Sequence, residues 1–360
     1  MYNSDQKFNS LHSHFQQYPS FLKEFRQKYS SEYVADKIKN LWNIKVLVIG
    51  DAIIDEYHYC YAMGKSSKEN VIAVNFIRDE AFVGGILACA NHLAGFCGEV
   101  HLVSCLGAMD TKENFIVEKL KSNITTKFFY RNDAPTTVKR RFVEPTFLNK
   151  MFEIYYFNDR DLPVSIEQQV CAYLTEIIQD YDLVLVADSG HGFLTKKLRS
   201  LISEKAKFIA LNTQTNAANI GFNPVTKYLR ADYVCIDEPE LRSASRSKFG
   251  EIKDLITAVA ERTHSKYFIV TRGHLGSLVY ERGQRKFYEI PAFAQGGVDR
   301  VGAGNAYLSV TAPCVLAGLP MDLVGFIGNA VGALAVNIVG NRESVESTVL
   351  LESITGLLNV

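Results

Sequence analysis

Six short runs along the chain are almost wholly apolar: KVLVIGD (45–51), EVHLVSCLG (99–107), YDLVLVADSG (181–190), AKFIALNTQ (206–214), ADYVCIDEPE (231–240) and KYFIVTRG (266–273). Most are separated by stretches long enough for a helix, and several end in Gly, Asp, Asn or Thr. Unbroken apolar strands of this length are those of a sheet covered on both faces. Alternating with helices, they predict a doubly wound α/β fold with a mainly parallel sheet, whose site lies at the strands' C-terminal ends. Two segments break the rhythm, 56–78 and 125–157, where aromatic and β-branched residues alternate with polar ones and no helical period shows. They predict strands of a small separate sheet placed to cover the site as a lid. Residues 1–44 are polar and aromatic, free of glycine, and amphipathic in FLKEFRQKYSSEYVADKIKNLW. They read as one or two helices packed outside a main domain of residues 45–360, or as a connector.

Composition narrows the function classes. Thirty-nine basic residues balance thirty-nine acidic ones, against a nucleic-acid coat or a membrane-surface protein. The seven cysteines sit mostly in apolar runs with no CxxC pair, the pattern of reduced core thiols in a cytoplasmic protein. No apolar run has the length of a membrane span, and the N-terminus lacks a signal-peptide apolar region.

The strongest chemistry is in DRVGAGNAYLS (299–309). Gly302 and Gly304 let the backbone approach an anion, and a helix starting near Ala303 would aim its unpaired N–H groups and positive dipole end at it. TRGHLGS (271–277) follows a strand and sets Thr271, Gly273 and Gly276 where a nucleotide lies against backbone, or where an ordinary hairpin turns. CIDEPE (235–240) ends a strand with Asp237, Glu238 and Glu240, a cluster that suits hydrated Mg²⁺ or, equally, an acidic helix start. GDAIID places Asp51 and Asp55 after the first strand, Asp51 as a cap and Asp55 as a sugar ligand; Gly84 and Gly85 open a helix. In VKRRF (138–142), alternation points Lys139 and Arg141 to one face, where they can hold a phosphate. Surface charge is the expectation for at least half of the basic residues there and in GKSSK, with Lys65 and Lys68.

Taken in order from about residue 45 to 345, GDAIID, SSKENVIAV, the 84–85 glycines, VKRRF, LVLVADSGHG, CIDEPE, VTRGHLG, DRVGAGN and GNAVGALAV resemble the ribokinase-like, phosphofructokinase-B family of sugar kinases, nearest its heptose-phosphate kinase branch. The resemblance implies a ribokinase-like fold, ATP and Mg²⁺ as cofactors, and phosphotransfer to a sugar or sugar phosphate. It implies that Asp55, Gly84 and Gly85 line the sugar pocket and that Lys139 and Arg141 bind a substrate phosphate. Gly302, Ala303 and Gly304 would form the anion hole, Asp237 and Glu240 would organise Mg²⁺ through water, and Thr271, Gly273, Gly276 and Asn329 would belong to the ATP site. The general base of the family is an aspartate at the position of Asn305. Further departures are Asn212-Thr213-Gln214 in place of Asp-Pro-Lys, and Ala88 in place of a sugar-binding asparagine.

These features carry two expectations. One is an ATP- and Mg²⁺-dependent sugar kinase impaired by the amide at Asn305, with Asp188 or Asp299 as a substitute base. The other is a non-catalytic module that binds a nucleotide or sugar phosphate and regulates or scaffolds a partner. The chain also resembles the kinase-like half of bacterial proteins joined to a sugar nucleotidylyltransferase and linked with surface polysaccharide synthesis. That likeness implies a partner domain, with residues 1–44 as connector. The exposed edges of the lid sheet imply a homodimer.

Overall fold

The computed structural model describes residues 19–294 and 296–359. In chain order the elements are α1 (Pro19–Lys28), α2 (Ser31–Asn40), β1 (Lys45–Gly50), β2 (Ala52–Lys65), β3 (Ile72–Gly85), α3 (Ile86–Ala94), β4 (Glu99–Gly107), α4 (Glu113–Lys119), β5 (Ile124–Arg131), β6 (Thr137–Glu144) and β7 (Asn149–Tyr156). They continue as α5 (Val164–Ile177), β8 (Leu183–Asp188), α6 (Lys196–Lys205), β9 (Ile209–Thr213), β10 (Tyr233–Asp237), α7 (Glu238–Ser245), α8 (Ile252–Arg262), β11 (Tyr267–Thr271), β12 (Ser277–Glu281), β13 (Lys286–Ile290), α9 (Ala303–Leu316), α10 (Met321–Ala335) and α11 (Ser347–Leu358).

A large sheet runs β13-β12-β11-β10-β9-β8-β1-β4-β5. It is parallel except at the β11–β12–β13 meander, where both pairings are antiparallel. Its strands alternate between two cores, as a period of two requires. Val46, Val48, Leu185 and Cys235 face α3, α9, α10 and α11. Leu47, Ile49, Val186 and Ile236 face α5, α6, α7 and α8. All six apolar runs of the sequence are strands of this sheet.

A second sheet, β3-β2-β6-β7, leaves the C-terminal end of β1 and returns at α3. It is wider than the segment 56–78 suggests, because β2 and β3 pair from Ala52 and Gly85 outward. The expectation for 125–157 needs a correction. Residues 124–131 form β5 and pair in parallel with β4 at the edge of the large sheet, so only β6 and β7 join the small one. Its inward residues Phe128 and Phe129 are buried against the two cores, and that burial outweighs the alternation read as a lid strand.

Helices α1 and α2 pack on the domain. Phe25 stacks on Phe326 of α10 with ring centroids 4.3 Å apart, and the Arg26 guanidinium donates to the Leu357 carbonyl. Val34, Ile38 and Leu41 are buried in the same core. Residues 1–18 of the expected N-terminal arm lie outside the described residues.

Candidate functional site

Helix α9 begins on Gly302, which holds φ +84° and offers no side chain to cap it. The torsion favours glycine, and a Cβ there would lie 2.0 Å from Asn341 Oδ1 and force that side chain to move. The N–H groups of Gly304 and Asn305, in the first helical turn, have no carbonyl one turn back to receive them. A Cβ on Gly304 would meet nothing within 4 Å, so the turn opens onto free space.

Two cavities meet at this turn. One, of about 120 Å³, is lined by Asp55, Gly85, Lys139, Arg141, Gln214, Gly302, Gly304, Asn305 and Asn341 among others. The other, of about 200 Å³, is lined among others by Thr271, Gly273, Gly276, Arg300, Ala303, Gly304, Tyr307 and Asn329. Gly304 is in both walls. Lys139 and Arg141 share the inner face of the small sheet, as their alternation predicts, while Arg140 points away and pairs with Glu56 at 2.7 Å. Lys65 lies on the exposed tip of the same sheet, with Lys68 just beyond it.

In the first cavity Asp55 is held by Arg141 and by the Asn341 amide at 3.2 Å. Gly84 stands beneath it, since a Cβ there would lie 2.1 Å from Asp55 Oδ2. Gly84 therefore shapes the wall, and Gly85 lines it. Lys139 is only 6% exposed and has no hydrogen-bond or ion-pair partner among the described residues. Burial holds its ammonium below the usual lysine value, an effect that Asp55 opposes. The Asn305 amide oxygen accepts from Gln214 Nε2 at 2.6 Å, and Gln214 Oε1 accepts from the Ser189 hydroxyl at 3.3 Å. Sequence reasoning noted Gln214 only as a departure and missed Asn341, whose contact with Asp55 spans 286 positions.

Neither expected substitute base lines the two cavities. Asp299 accepts from Tyr57 Oη and Lys150 Nζ at 2.6 Å, from Val301 N at 3.1 Å and from Gly340 N at 2.9 Å. Asp188 is bound by Lys227 at 2.6 Å, Tyr228 Oη at 2.7 Å and Gly190 N at 2.9 Å. Both are buried and line neither cavity. Asp51 is the cap that was expected: it gathers the N–H groups of Ser189, His191 and Phe193. Burial and the neighbouring Asp188 push its carboxyl up to about 6.

In the second cavity, 271–277 takes the hairpin reading and still lines a cavity wall. It is the hairpin between β11 and β12, and its Thr271, Gly273 and Gly276 line the wall. The Asn329 amide donates to the Ile290 and Pro291 carbonyls at 3.0 and 2.7 Å, tying α10 to the end of β13. Arg300, which the sequence reading did not single out, brings a cation to the same wall.

Asp237 and Glu240 form a capping box on α7. Asp237 accepts from the Glu240 N–H at 2.8 Å and Glu240 from the Asp237 N–H at 2.9 Å. The second Glu240 oxygen takes the Thr215 N–H at 2.9 Å, and Glu238 pairs with Arg242 and Arg272. Burial, then the neighbouring Asp237, push the Glu240 carboxyl up to about 8. Neither Asp237 nor Glu240 lines either of these two cavities, and among the described residues no group of three or more His, Cys, Asp or Glu side chains could hold a metal ion. This donor set does not fit a protein-caged metal; it suits only a hydrated Mg²⁺ carried by phosphates.

Comparison with known proteins agrees with this architecture. The family model described as pfkB family carbohydrate kinase matches residues 43–348. A curated relative, the bifunctional protein HldE of Campylobacter jejuni, is 23% identical over 301 residues, covering 82% of this chain and 62% of its own length. The chain thus spans about three fifths of the length of the curated relatives it matches. Among solved structures, Arabidopsis thaliana ribokinase complexed with ribose and ATP superposes with a TM-score of 0.64 at 15% identity, covering 87% of this chain and 99% of that one. Escherichia coli phosphofructokinase-2 in complex with substrates and products does so with a TM-score of 0.66 at 15% identity, covering 88% and 100%.

Proposed function

The chain belongs to the pfkB family of carbohydrate kinases, and from that premise we propose that it binds ATP in the larger-walled cavity at Thr271–Asn329 and a sugar phosphate in the cavity beneath the small sheet. Phosphoryl transfer between them is slowed by the amide at Asn305. The observation that carries this reading is the shared Gly304: two cavities of different chemistry open onto the same uncapped helix start. Developing charge on a transferring phosphoryl group would fall there. Thr271, Gly273, Gly276 and Arg300 take the nucleotide side. Asp55 and Asn341 orient the sugar, and Lys139 and Arg141 take its phosphate. The nucleotide's phosphates would carry Mg²⁺, which would supply charge neutralisation there. The sugar class is heptose-phosphate-like, and the small sheet is its lid.

Positioning and charge stabilisation survive without a base. Loss of the base costs on the order of 10²–10⁴ in rate. Incubation with ATP, Mg²⁺ and a panel of sugar phosphates tests this against the Asn305→Asp variant. A variant at least a hundredfold faster supports a kinase lacking its base. A specific observation favours a second reading, a non-catalytic module that regulates or scaffolds a sugar nucleotidylyltransferase: Asn305 is engaged by Gln214, not by a cation, so both partners are neutral. That reading stands if neither form turns over while ATP still raises the melting temperature. No ATP stabilisation at all overturns both.

The outer face of the small sheet carries Phe76, Phe152, Ile154 and Tyr156, each at least 40% exposed, and we propose that a second copy covers it in a homodimer. A monomer by light scattering at micromolar concentration would remove that. A cytoplasmic location fits the seven free cysteines, and no helix among the described residues is long and apolar enough to cross a membrane.

A further inference from the structure

Most of the unspent hydrogen-bonding groups on the polar wall of the smaller cavity are donors; the acceptors are Asp55 and the Asn341 amide oxygen. Asn305 is 7% exposed and its oxygen already accepts from Gln214, while its Nδ2 amide keeps both N–H bonds free among the described residues. The Gln214 oxygen is in turn taken by Ser189. Lys139, only 6% exposed, contributes an ammonium that lies 5.3 Å from the Tyr155 ring centroid and has no hydrogen-bond or ion-pair partner among the described residues. The Gly304 and Asn305 backbone N–H groups add two more donors at the start of α9. Asp55 is the cavity's one carboxylate, and its charge is matched by Arg141.

A sugar hydroxyl about to attack needs an acceptor for its proton, and the base position has none to give. A phosphate ester needs the reverse, several donors and a cation, and the wall supplies both. Burying an unpaired ammonium is costly unless an anion completes it.

We propose that this cavity is a receptor for a sugar whose acceptor carbon already carries its phosphate, held with that ester phosphate at the Asn305 amide and the turn 302–304, and with Lys139 set between it and the sugar's other phosphate. The inference rests on the sugar-phosphate reading above and names the form of the ligand that the site retains. On this account Asn305 is a binding residue, and the exchange of a carboxylate for an amide removes the charge that would expel a bound phosphate.

The test uses the full chain without nucleotide, titrated calorimetrically with fructose 1,6-bisphosphate, fructose 6-phosphate, fructose and inorganic phosphate. The bisphosphate is expected to bind at least tenfold more tightly than the monophosphate, and fructose more weakly still. Asn305→Asp and Lys139→Met should each weaken the bisphosphate at least tenfold. ADP binding, read in the other cavity, reports that each variant is folded. Equal or tighter bisphosphate binding by Asn305→Asp overturns the proposal, as does absence of bisphosphate binding at millimolar concentration. Inorganic phosphate binding as tightly as the bisphosphate overturns the sugar component. Loss of ADP binding by the unmodified chain counts instead against the ATP-site reading.

Discussion

Lys150→Met isolates the contact that ties the small sheet to the glycine turn. Lys150 lies on β7, and its ammonium reaches Asp299 Oδ1 at 2.6 Å. The Asp299 side chain is wholly buried, while that of Lys150 is 33% exposed. Burial alone would raise the Asp299 carboxyl, but Lys150, Tyr57 and the two backbone N–H groups outweigh it and hold the group below the usual value. Breaking a fully buried pair costs about 3–5 kcal/mol, and an exposed pair is worth about 0–1 kcal/mol. Three donors remain on Asp299 and water can follow the missing ammonium, so the loss should be that of one charged hydrogen bond, about 1.5–3 kcal/mol. With unfolding entropy of about 2.1 cal/mol/K per residue over 360 residues, roughly 0.76 kcal/mol/K, the melting temperature should fall by about 2–4 °C. The sign with pH follows from linkage. A carboxylate whose folded pKa is depressed adds stability above its unfolded value, and that stability is lost as pH falls through the folded value. Lys150→Met weakens the depression, so wild type and variant should converge in acid. Differential scanning fluorimetry from neutral pH to about pH 3, below the ordinary aspartate value, measures both effects. An unchanged melting temperature at neutral pH, or a gap that widens in acid, refutes the reasoning.

Further outcomes follow from single positions. Gly302→Ala forces a side chain to φ +84° and to within 2.0 Å of Asn341 Oδ1; it should cost about 1–2 kcal/mol in a denaturant melt and weaken phosphosugar binding at least tenfold. Gly328→Ala places a methyl 2.2 Å from Tyr307 Cζ. It should destabilise by about 1–3 kcal/mol through overpacking and diminish the ATP-induced rise in melting temperature, because Tyr307 lines that cavity. His92 is buried and accepts the Val345 N–H at 3.0 Å, and burial, then Lys121, push its imidazole down from 6.5 to about 4. Its neutral form stabilises the fold above pH 6.5, and that contribution, up to about 3 kcal/mol, is lost as pH falls toward 4. Urea midpoints across that window should fall less for His92→Gln than for wild type.

Much of this was legible because local chemistry is unambiguous where it is strong. The apolar runs read as covered strands, and the glycines at 302 and 304 read as a tight turn before a helix. The VKRRF alternation placed Lys139 and Arg141 on one face, which the register against β2 bears out. Where two elements compete for the same pattern, local reading stopped short. Residues 124–131 alternate like a lid strand, yet β4 offers them a parallel partner and a core. The acids of CIDEPE read equally as metal ligands or helix cap; Asp237 and Glu240 form a capping box and Glu238 pairs with Arg242 and Arg272, contacts that the local pattern does not reveal.

What the sequence determined alone is the layered α/β framework and the residue types at the glycine turn, including an amide where a base was expected, since both depend on periodicity and identity over a few neighbouring positions. What only the tertiary structure decided is the partner each group has. Gln214 reaches Asn305 across 91 positions and Lys150 reaches Asp299 across 149, while Lys139 meets the Tyr155 ring and no hydrogen-bonding or charged partner among the described residues. Those pairings depend on how β7, β9 and α9 converge at one end of the large sheet, and a one-dimensional pattern carries no term for that distance.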